Sequence, residues 1–168
     1  LALVNNTDVE VAEALEAAIA EDVDIVNMSI GSITWKGSIL VPKLELAHAS
    51  GLLLLAASGN DRLTNTLAMP AAHPRVMAIG GSTGNNHDPL SNYGDTRFNS
   101  RVSGISVVAP AVVITVDFNG YQWTMHGTSA ACPLVAGVAA MIKSKYPGLT
   151  NDQIRKVIEK SATKVGGA

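Results

Sequence analysis

The chain has 168 residues, of which 47% are hydrophobic and 15% charged, so it is long and apolar enough to form one domain with its own core. Twelve basic and 14 acidic residues give a formal net charge of −2, and only 4% of the residues are aromatic. The absence of a basic run argues against a nucleic-acid partner, and no apolar stretch reaches membrane-spanning length.

The first elements are predicted from caps and periodicity. Thr7 and Glu10 form a capping-box pattern, and the apolar residues behind them recur at helical spacing, which predicts a helix over residues 8–21. A strand is expected at 23–28. A second helix is expected from Ser38 or Ile39 to residue 50, with Gly51 ending it.

The middle of the chain predicts a parallel sheet. Residues 52–57 are apolar without alternation, which is typical of a strand covered on both faces. Shorter strands are expected at 75–79 and 106–109. The glycine-rich run at 80–84 lacks the spacing of a dinucleotide fingerprint and is interpreted as a loop, so a nucleotide-binding domain is disfavoured.

The last third predicts a hairpin and two helices. Residues 112–116 and 121–125 flank an Asp-Phe-Asn-Gly turn, a β-hairpin pattern. A long helix follows Ser129, and a capping box at Thr150 begins a last helix that runs to about residue 162. Helices that alternate with buried strands indicate an α/β fold with three layers and a mostly parallel sheet, with the hairpin placed before the serine helix.

Two polar residues lie where chemistry is expected. Ser129 follows a glycine-containing turn at the start of a helix, where unpaired backbone N–H groups and the helix dipole favour a negative oxygen. The alternative is that Ser129 or Thr128 merely caps the helix. Asn60 is either a turn residue or an oxyanion donor.

Cys132 is the only cysteine of the chain, so an internal disulfide is excluded. It is interpreted as a small buried residue.

The run Gly-Thr-Ser-Ala-Ala-Cys-Pro at 127–133 resembles the nucleophile motif of the subtilisin-like serine proteases, Gly-Thr-Ser-x-Ala-x-Pro. Residues 24–31 resemble the substrate-lining strand of that family, and residues 54–60 resemble the strand that ends in its oxyanion asparagine. Weaker similarities extend over nearly the whole chain. The resemblance implies a subtilisin-like fold and a serine endopeptidase that acts through an acyl-enzyme.

The same resemblance assigns the site residues. Ser129 is the expected nucleophile and Asn60 an oxyanion donor. Ala68 falls where relatives often have a glycine at the pocket floor, so the pocket is expected to take apolar side chains of medium size. The other expected substrate-binding residues form two walls: Ser29, Ile30 and Gly31; Ala57, Ser58 and Gly59.

Two members of the family's triad have no counterpart in the sequence. The family carries Asp, His and Ser in that order, with the histidine in a His-Gly-Thr-His-type motif. Neither Asp24 nor Asp61 matches the aspartate motif. None of the four histidines lies in the histidine motif; they are His48, His73, His87 and His126. Residues 1–168 are therefore expected to be the C-terminal portion of a catalytic domain that lacks its N-terminal part and is inactive alone. The alternative is an inactive, protease-like module that binds peptides or serves a structural role.

The expected partners follow from this interpretation. They are a polypeptide substrate, the N-terminal half of the same domain, and a second copy of the chain that pairs through the exposed strand edge at 23–28. Neither nucleic acid nor membrane is expected. No cofactor or metal site is identified, although the resemblance allows calcium, and it implies a secreted, extracellular protein.

Overall fold

A computed structural model describes residues 7–35, 39–94 and 104–164. Helices and strands alternate along the chain as expected for an α/β fold. The elements, in chain order, are α1 Asp8–Ala20, β1 Ile25–Met28, α2 Leu40–Ala49, β2 Leu53–Ala57, β3 Val76–Thr83, β4 Asn86–His87, β5 Val107–Pro110, β6 Val112–Val116, β7 Gln122–His126, α3 Thr128–Lys145 and α4 Asn151–Ser161.

The sheet is mostly parallel, as predicted. β1, β2, β3 and β5 lie side by side in that order and pair in parallel, and the short β4 pairs antiparallel with β3. β6 and β7 form a separate antiparallel hairpin directly before α3. Within the described ranges β1 pairs only with β2, so its other side is an open sheet edge.

Helices cover both faces of the sheet and complete three layers. Leu54 and Ala56 of β2 pack in one core with residues of α1 and α2. Leu53, Leu55 and Ala57 pack in a second core with residues of α3 and α4. Successive side chains of a strand point to opposite faces, and both faces of β2 are apolar, which explains why its sequence shows no alternation.

Both predicted capping boxes are present. The Thr7 hydroxyl accepts from the Glu10 N–H, and the Thr150 hydroxyl accepts from the Gln153 N–H, with the N3 side chain returning to the cap N–H in each case. α2 begins at Leu40 after Ile39, and Ser38 lies outside the described residues.

The glycine-rich run was wrongly expected to be a loop. β3 continues to Thr83, and Gly80 and Gly81 pair with β5. These glycines allow close packing: a Cβ on Gly81 would lie 2.9 Å from the Ala111 Cβ. The missing side chains therefore mark a crowded sheet rather than a turn.

The two-sided burial of β2 predicts the cost of emptying each core. Leu54→Ala and Leu55→Ala should each lower the free energy of unfolding by about 2–5 kcal/mol, because both side chains are fully buried, one in each core. Urea unfolding followed by circular dichroism measures both. Leu46→Ala, on a half-exposed side chain of α2, is the control and should stay within about 0.5 kcal/mol. A similarly small effect at either buried leucine would contradict the three-layer core.

Candidate active site

Asn60 and Thr128 are joined by hydrogen bonds that link the end of β2 to the start of α3. Asn60 Oδ1 accepts from the Thr128 N–H at 2.9 Å and from the Thr128 hydroxyl at 3.1 Å. Thr128 Oγ1 accepts in turn from the Gly59 N–H at 3.3 Å. We call this set the Asn60–Thr128 clasp. Because the carbonyl end of the Asn60 amide faces two donors, its Nδ2 group is left to donate elsewhere.

Gly127 makes the clasp possible. Its φ of 98° lies in the left-handed region, and a Cβ there would lie 2.9 Å from Asn60 Oδ1. Gly127 is itself the N-cap of α3 and has no side chain with which to cap the helix. The interpretation of Ser129 or Thr128 as an ordinary N-cap is therefore wrong, since both lie within the first helical turn.

The Ser129 hydroxyl points to the end of β1. Ser129 Oγ donates to the Ser29 carbonyl at 3.0 Å, and Ser29 Oγ donates to the Ser129 carbonyl at 3.0 Å. The Ser129 carbonyl is free to accept this hydrogen bond because the residue four positions later is a proline. Pro133 has no N–H, so the helical hydrogen bond to residue 129 cannot form, and the Ser29 hydroxyl supplies the missing donor.

This substitution of donors can be measured. Ser29→Ala should lower the free energy of unfolding by about 1 kcal/mol in the native background, because it leaves the Ser129 carbonyl unpaired. In a Pro133→Ala background, the new N–H at position 133 takes the carbonyl, and the same Ser29→Ala change should cost much less. Equal costs in the two backgrounds, determined by urea titration, would show that Pro133 does not free this carbonyl.

A cavity of about 330 Å³ lies between these elements. It brings together most of the residues expected from sequence and adds Trp35, Asp61 and Thr128. The lining residues are Ser29, Ile30, Gly31, Trp35, Ala57, Gly59, Asn60, Asp61, Ala68, Thr128 and Ser129. Ser129 and Asn60 thus line one cavity.

Ser58 differs from its expected place. Its side chain is fully buried and lies 3.2 Å from the Ser91 hydroxyl, in hydrogen-bond contact, rather than lining the cavity. The strand alternation that turns Ala57 toward the cavity turns the next side chain away.

The floor of the cavity depends on a contact that sequence reasoning missed. Ser32 and Met69 form an antiparallel bridge, which brings Ala68 against Gly31. A Cβ on Gly31 would lie 2.7 Å from the Met69 carbonyl oxygen and 3.2 Å from the Ala68 Cβ. The Met69–Pro70 peptide bond, whose isomer the sequence leaves open, is cis. Gly31 is therefore required by contact with residue 69, and not by the strand exit alone.

Among the residues that line the cavity, no cysteine or histidine supplies a second nucleophile or a base. Cys132 is completely buried, and burial raises the pKa of its thiol to about 12, so it stays a neutral thiol at physiological pH. No histidine is among the residues that line the cavity. His126 lies exposed at the end of β7, opposite Val112. In the described ranges there is no group of three or more acidic, histidine or cysteine side chains placed to hold a metal.

Comparison with known proteins decides the family. Residues 4–168 match the family model described as "Subtilase family". The chain belongs to the subtilase family. It is 38% identical over 159 residues to alkaline elastase YaB of Bacillus sp. (strain YaB), and the match covers 93% of this chain and 39% of that relative. It is 35% identical over 162 residues to subtilisin E of Bacillus subtilis (strain 168), and the match covers 94% of this chain and 40% of that relative.

The subtilase fold is seen in solved structures as well. The structure titled "S41 Psychrophilic Protease" superposes with a TM-score of 0.80 at 27% identity, over 93% of this chain and 56% of that one. This likeness confirms the predicted subtilisin-like α/β fold. The chain spans about two-fifths of the length of the curated subtilases named above. In the parts of the chain that the structure describes, no helix combines the length and hydrophobicity needed to cross a membrane.

Proposed function

We propose that the protein is a serine endopeptidase of the subtilisin type and that residues 1–168 form the C-terminal portion of its catalytic domain. One observation carries the proposal: Ser129 and Asn60 line the same cavity at the N-terminus of α3. Cleavage of polypeptides agrees with the proteases to which the chain is similar.

The chemistry assigns each group a task. Ser129 Oγ attacks the carbonyl carbon of the scissile peptide bond, while a histidine takes the hydroxyl proton and passes it to the leaving amine. Asn60 Nδ2 and the Ser129 N–H donate to the oxygen that becomes negative. The N–H groups of a first helical turn have no acceptor within the helix, so the Ser129 N–H is suited to this role. Water then hydrolyses the ester at Ser129.

The histidine and its aspartate must come from outside these residues. In the chain alone the Ser129 hydroxyl donates to the Ser29 carbonyl, which is far too weak a base to remove its proton at neutral pH. We therefore expect the isolated chain to be inactive.

The open edge of β1 is the proposed docking place of the absent segment. Val26 is half-buried, no described strand pairs with the outer side of β1, and an apolar hollow of about 210 Å³ lies between α1 and β1. An added strand would satisfy the free backbone groups of β1 and cover this hollow. Without that segment the same edge can pair with a second copy of the chain.

The substrate is proposed to run as an extended peptide along residues 29–31, with residues 57–59 opposite. Ala68 is buried at the floor and Trp35 lines the cavity, so both narrow it and favour apolar side chains of medium size. By similarity to its subtilase relatives, we also propose that the protein is secreted and that it binds calcium at a site away from the cavity.

Labelling with a fluorophosphonate probe tests this function. The chain should react at Ser129 only when the segment that carries the histidine and aspartate is supplied, and Ser129→Ala should abolish the reaction. Asn60→Ala should slow labelling by about 10²–10³-fold, which corresponds to about 2.7–4 kcal/mol of lost transition-state stabilisation. Intact-mass spectrometry with peptide mapping gives the rate and the labelled residue.

Two exposed residues serve as matched controls. Ser144→Ala on α3 and Asn119→Ala in the hairpin turn remove the same side chains away from the cavity and should leave the rate unchanged. Failure of the correctly paired, folded complex to label would instead favour the non-catalytic peptide-binding module. That alternative draws support from the lack of any histidine among the cavity-lining residues.

A further inference from the structure

Asn60 lies in a loop with an unusual backbone. Between Gly59 and Arg62 the chain twice enters the left-handed region, with φ of 106° at Gly59 and 59° at Arg62. A non-glycine residue in that region is unfavourable and persists only when surrounding contacts hold it. The loop also has little covering structure, since residues 60–62 are exposed. Something beyond its own sequence must keep Asn60 aimed at the cavity.

One buried side chain supplies most of those contacts. Asn92 is completely buried, and its Oδ1 accepts from the Asp61 N–H at 2.8 Å and from the Leu63 N–H at 3.1 Å. Its Nδ2 donates to Asp61 Oδ2 at 2.9 Å. Its backbone N–H donates to the Gly59 carbonyl at 2.9 Å. Four hydrogen bonds therefore run from one residue to the two sides of Asn60.

The fit between Asn92 and the loop is also steric. A Cβ on Gly59 would lie 2.3 Å from Asn92 Nδ2, so the amide packs directly against the backbone that precedes Asn60. A carboxamide of this length accepts from two N–H groups and donates to a carboxylate at once. An ionised carboxylate of the same size has no hydrogen to donate, and a hydroxyl must donate and accept at a single atom, whereas the amide separates its acceptor from its donor.

We infer that Asn92 is the positioning residue of the oxyanion site: it fixes residues 59, 61 and 63 and thereby aims the Asn60 side chain, without touching the substrate. This inference rests on the proposed function for its catalytic consequence. The Asn60–Thr128 clasp sets the rotation of the amide, while Asn92 sets the place of the backbone that carries it. A displacement of about 1 Å at a reacting centre can cost on the order of 10²-fold in rate.

The catalytic part of the inference is tested on the complex of the chain with its histidine-bearing segment. Asn92→Ala should lower kcat at least 10-fold on a peptide ester and leave KM within about 2-fold, because the oxyanion contact forms only in the transition state. In an Asn60→Ala background the same change should have almost no further effect. An equal loss in both backgrounds would overturn the inference, because Asn92 would then act through general stability.

The matched control is Asn151→Ala. Asn151 also makes three side-chain hydrogen bonds, donating to the His48 and Leu52 carbonyls and accepting from the Asp152 N–H, but it lies in α4 away from the cavity. This variant should lose stability while keeping kcat. A loss of kcat as large as that of Asn92→Ala would contradict a specific role for Asn92.

The structural part needs no activity and is measured on the 168-residue chain. In Asn92→Ala the amide protons of Asp61 and Leu63 should exchange at least 10-fold faster, and the NMR signal of the Asn60 side-chain amide should move. Asn151→Ala should change neither. Unchanged exchange and an unchanged Asn60 signal would overturn the inference even in an active enzyme. If the wild-type complex fails to label, the proposed function fails, while these two signals still decide whether Asn92 holds the loop.

A reciprocal exchange keeps the test valid if Asn92→Ala does not fold. Asn92→Asp preserves shape but sets two carboxylates against each other, and it should slow fluorophosphonate labelling. The double variant Asn92→Asp/Asp61→Asn reverses the direction of that hydrogen bond and should restore most of the rate. Absence of rescue in a folded double variant would count against the pairing of these two side chains as the source of the effect.

Discussion

The Asn60–Thr128 clasp is the constraint on which the rest of the site depends. It joins residues 68 positions apart in sequence and consumes the carbonyl oxygen of the Asn60 amide, which leaves only the amide donor for another partner. The clasp also restricts its neighbours. Gly127 must lack a side chain, because a Cβ would meet Asn60 Oδ1, and the buried Thr128 hydroxyl reaches back to the Gly59 N–H. The glycine, the threonine and the asparagine are therefore parts of one hydrogen-bonded unit.

The layered core places the two halves of this unit. β1 and β2 are parallel, so the residues that follow them emerge at the same edge of the sheet, where binding sites of open α/β sheets commonly lie. Ser29 follows β1, Gly59 and Asn60 follow β2, and α3 brings Ser129 to the same edge. Leucine side chains on both faces of β2 hold this arrangement, and Pro133 leaves the Ser129 carbonyl free to accept from Ser29. The packing of the core thus sets the positions of the site residues, because these residues lie at the ends of β1 and β2 and at the start of α3.

Local sequence signals predicted most of the fold. Capping boxes at Thr7 and Thr150, the apolar run of β2 and the hairpin turn are short-range patterns, and each predicts its element without knowledge of the rest of the chain. Gly80 and Gly81 misled the prediction because the same residue serves loops and crowded strands, and only the neighbouring β5 distinguishes the two.

The site was harder to predict from the residues alone. Taken alone, the residues around Ser129 favour capping over catalysis, and the catalytic role came from the family resemblance. The structure excludes the capping role, because the N-cap of α3 is Gly127. Three contacts left no signal in the sequence, since each joins residues that are distant along the chain: Ser29 with the Ser129 carbonyl, Asn92 with the Asn60 loop, and Met69 with Ser32.

The most direct measurement is a crystal structure of the complex after its serine has reacted with a fluorophosphonate. The probe leaves a tetrahedral phosphorus on Ser129 Oγ, and its phosphoryl oxygen takes the place of the developing oxyanion. The account predicts that this oxygen lies about 2.7–3.1 Å from both Asn60 Nδ2 and the Ser129 backbone nitrogen. A phosphoryl oxygen directed to solvent and beyond hydrogen-bond reach of Asn60, or a label on another residue, would contradict the convergence of these two groups on one reacting carbonyl.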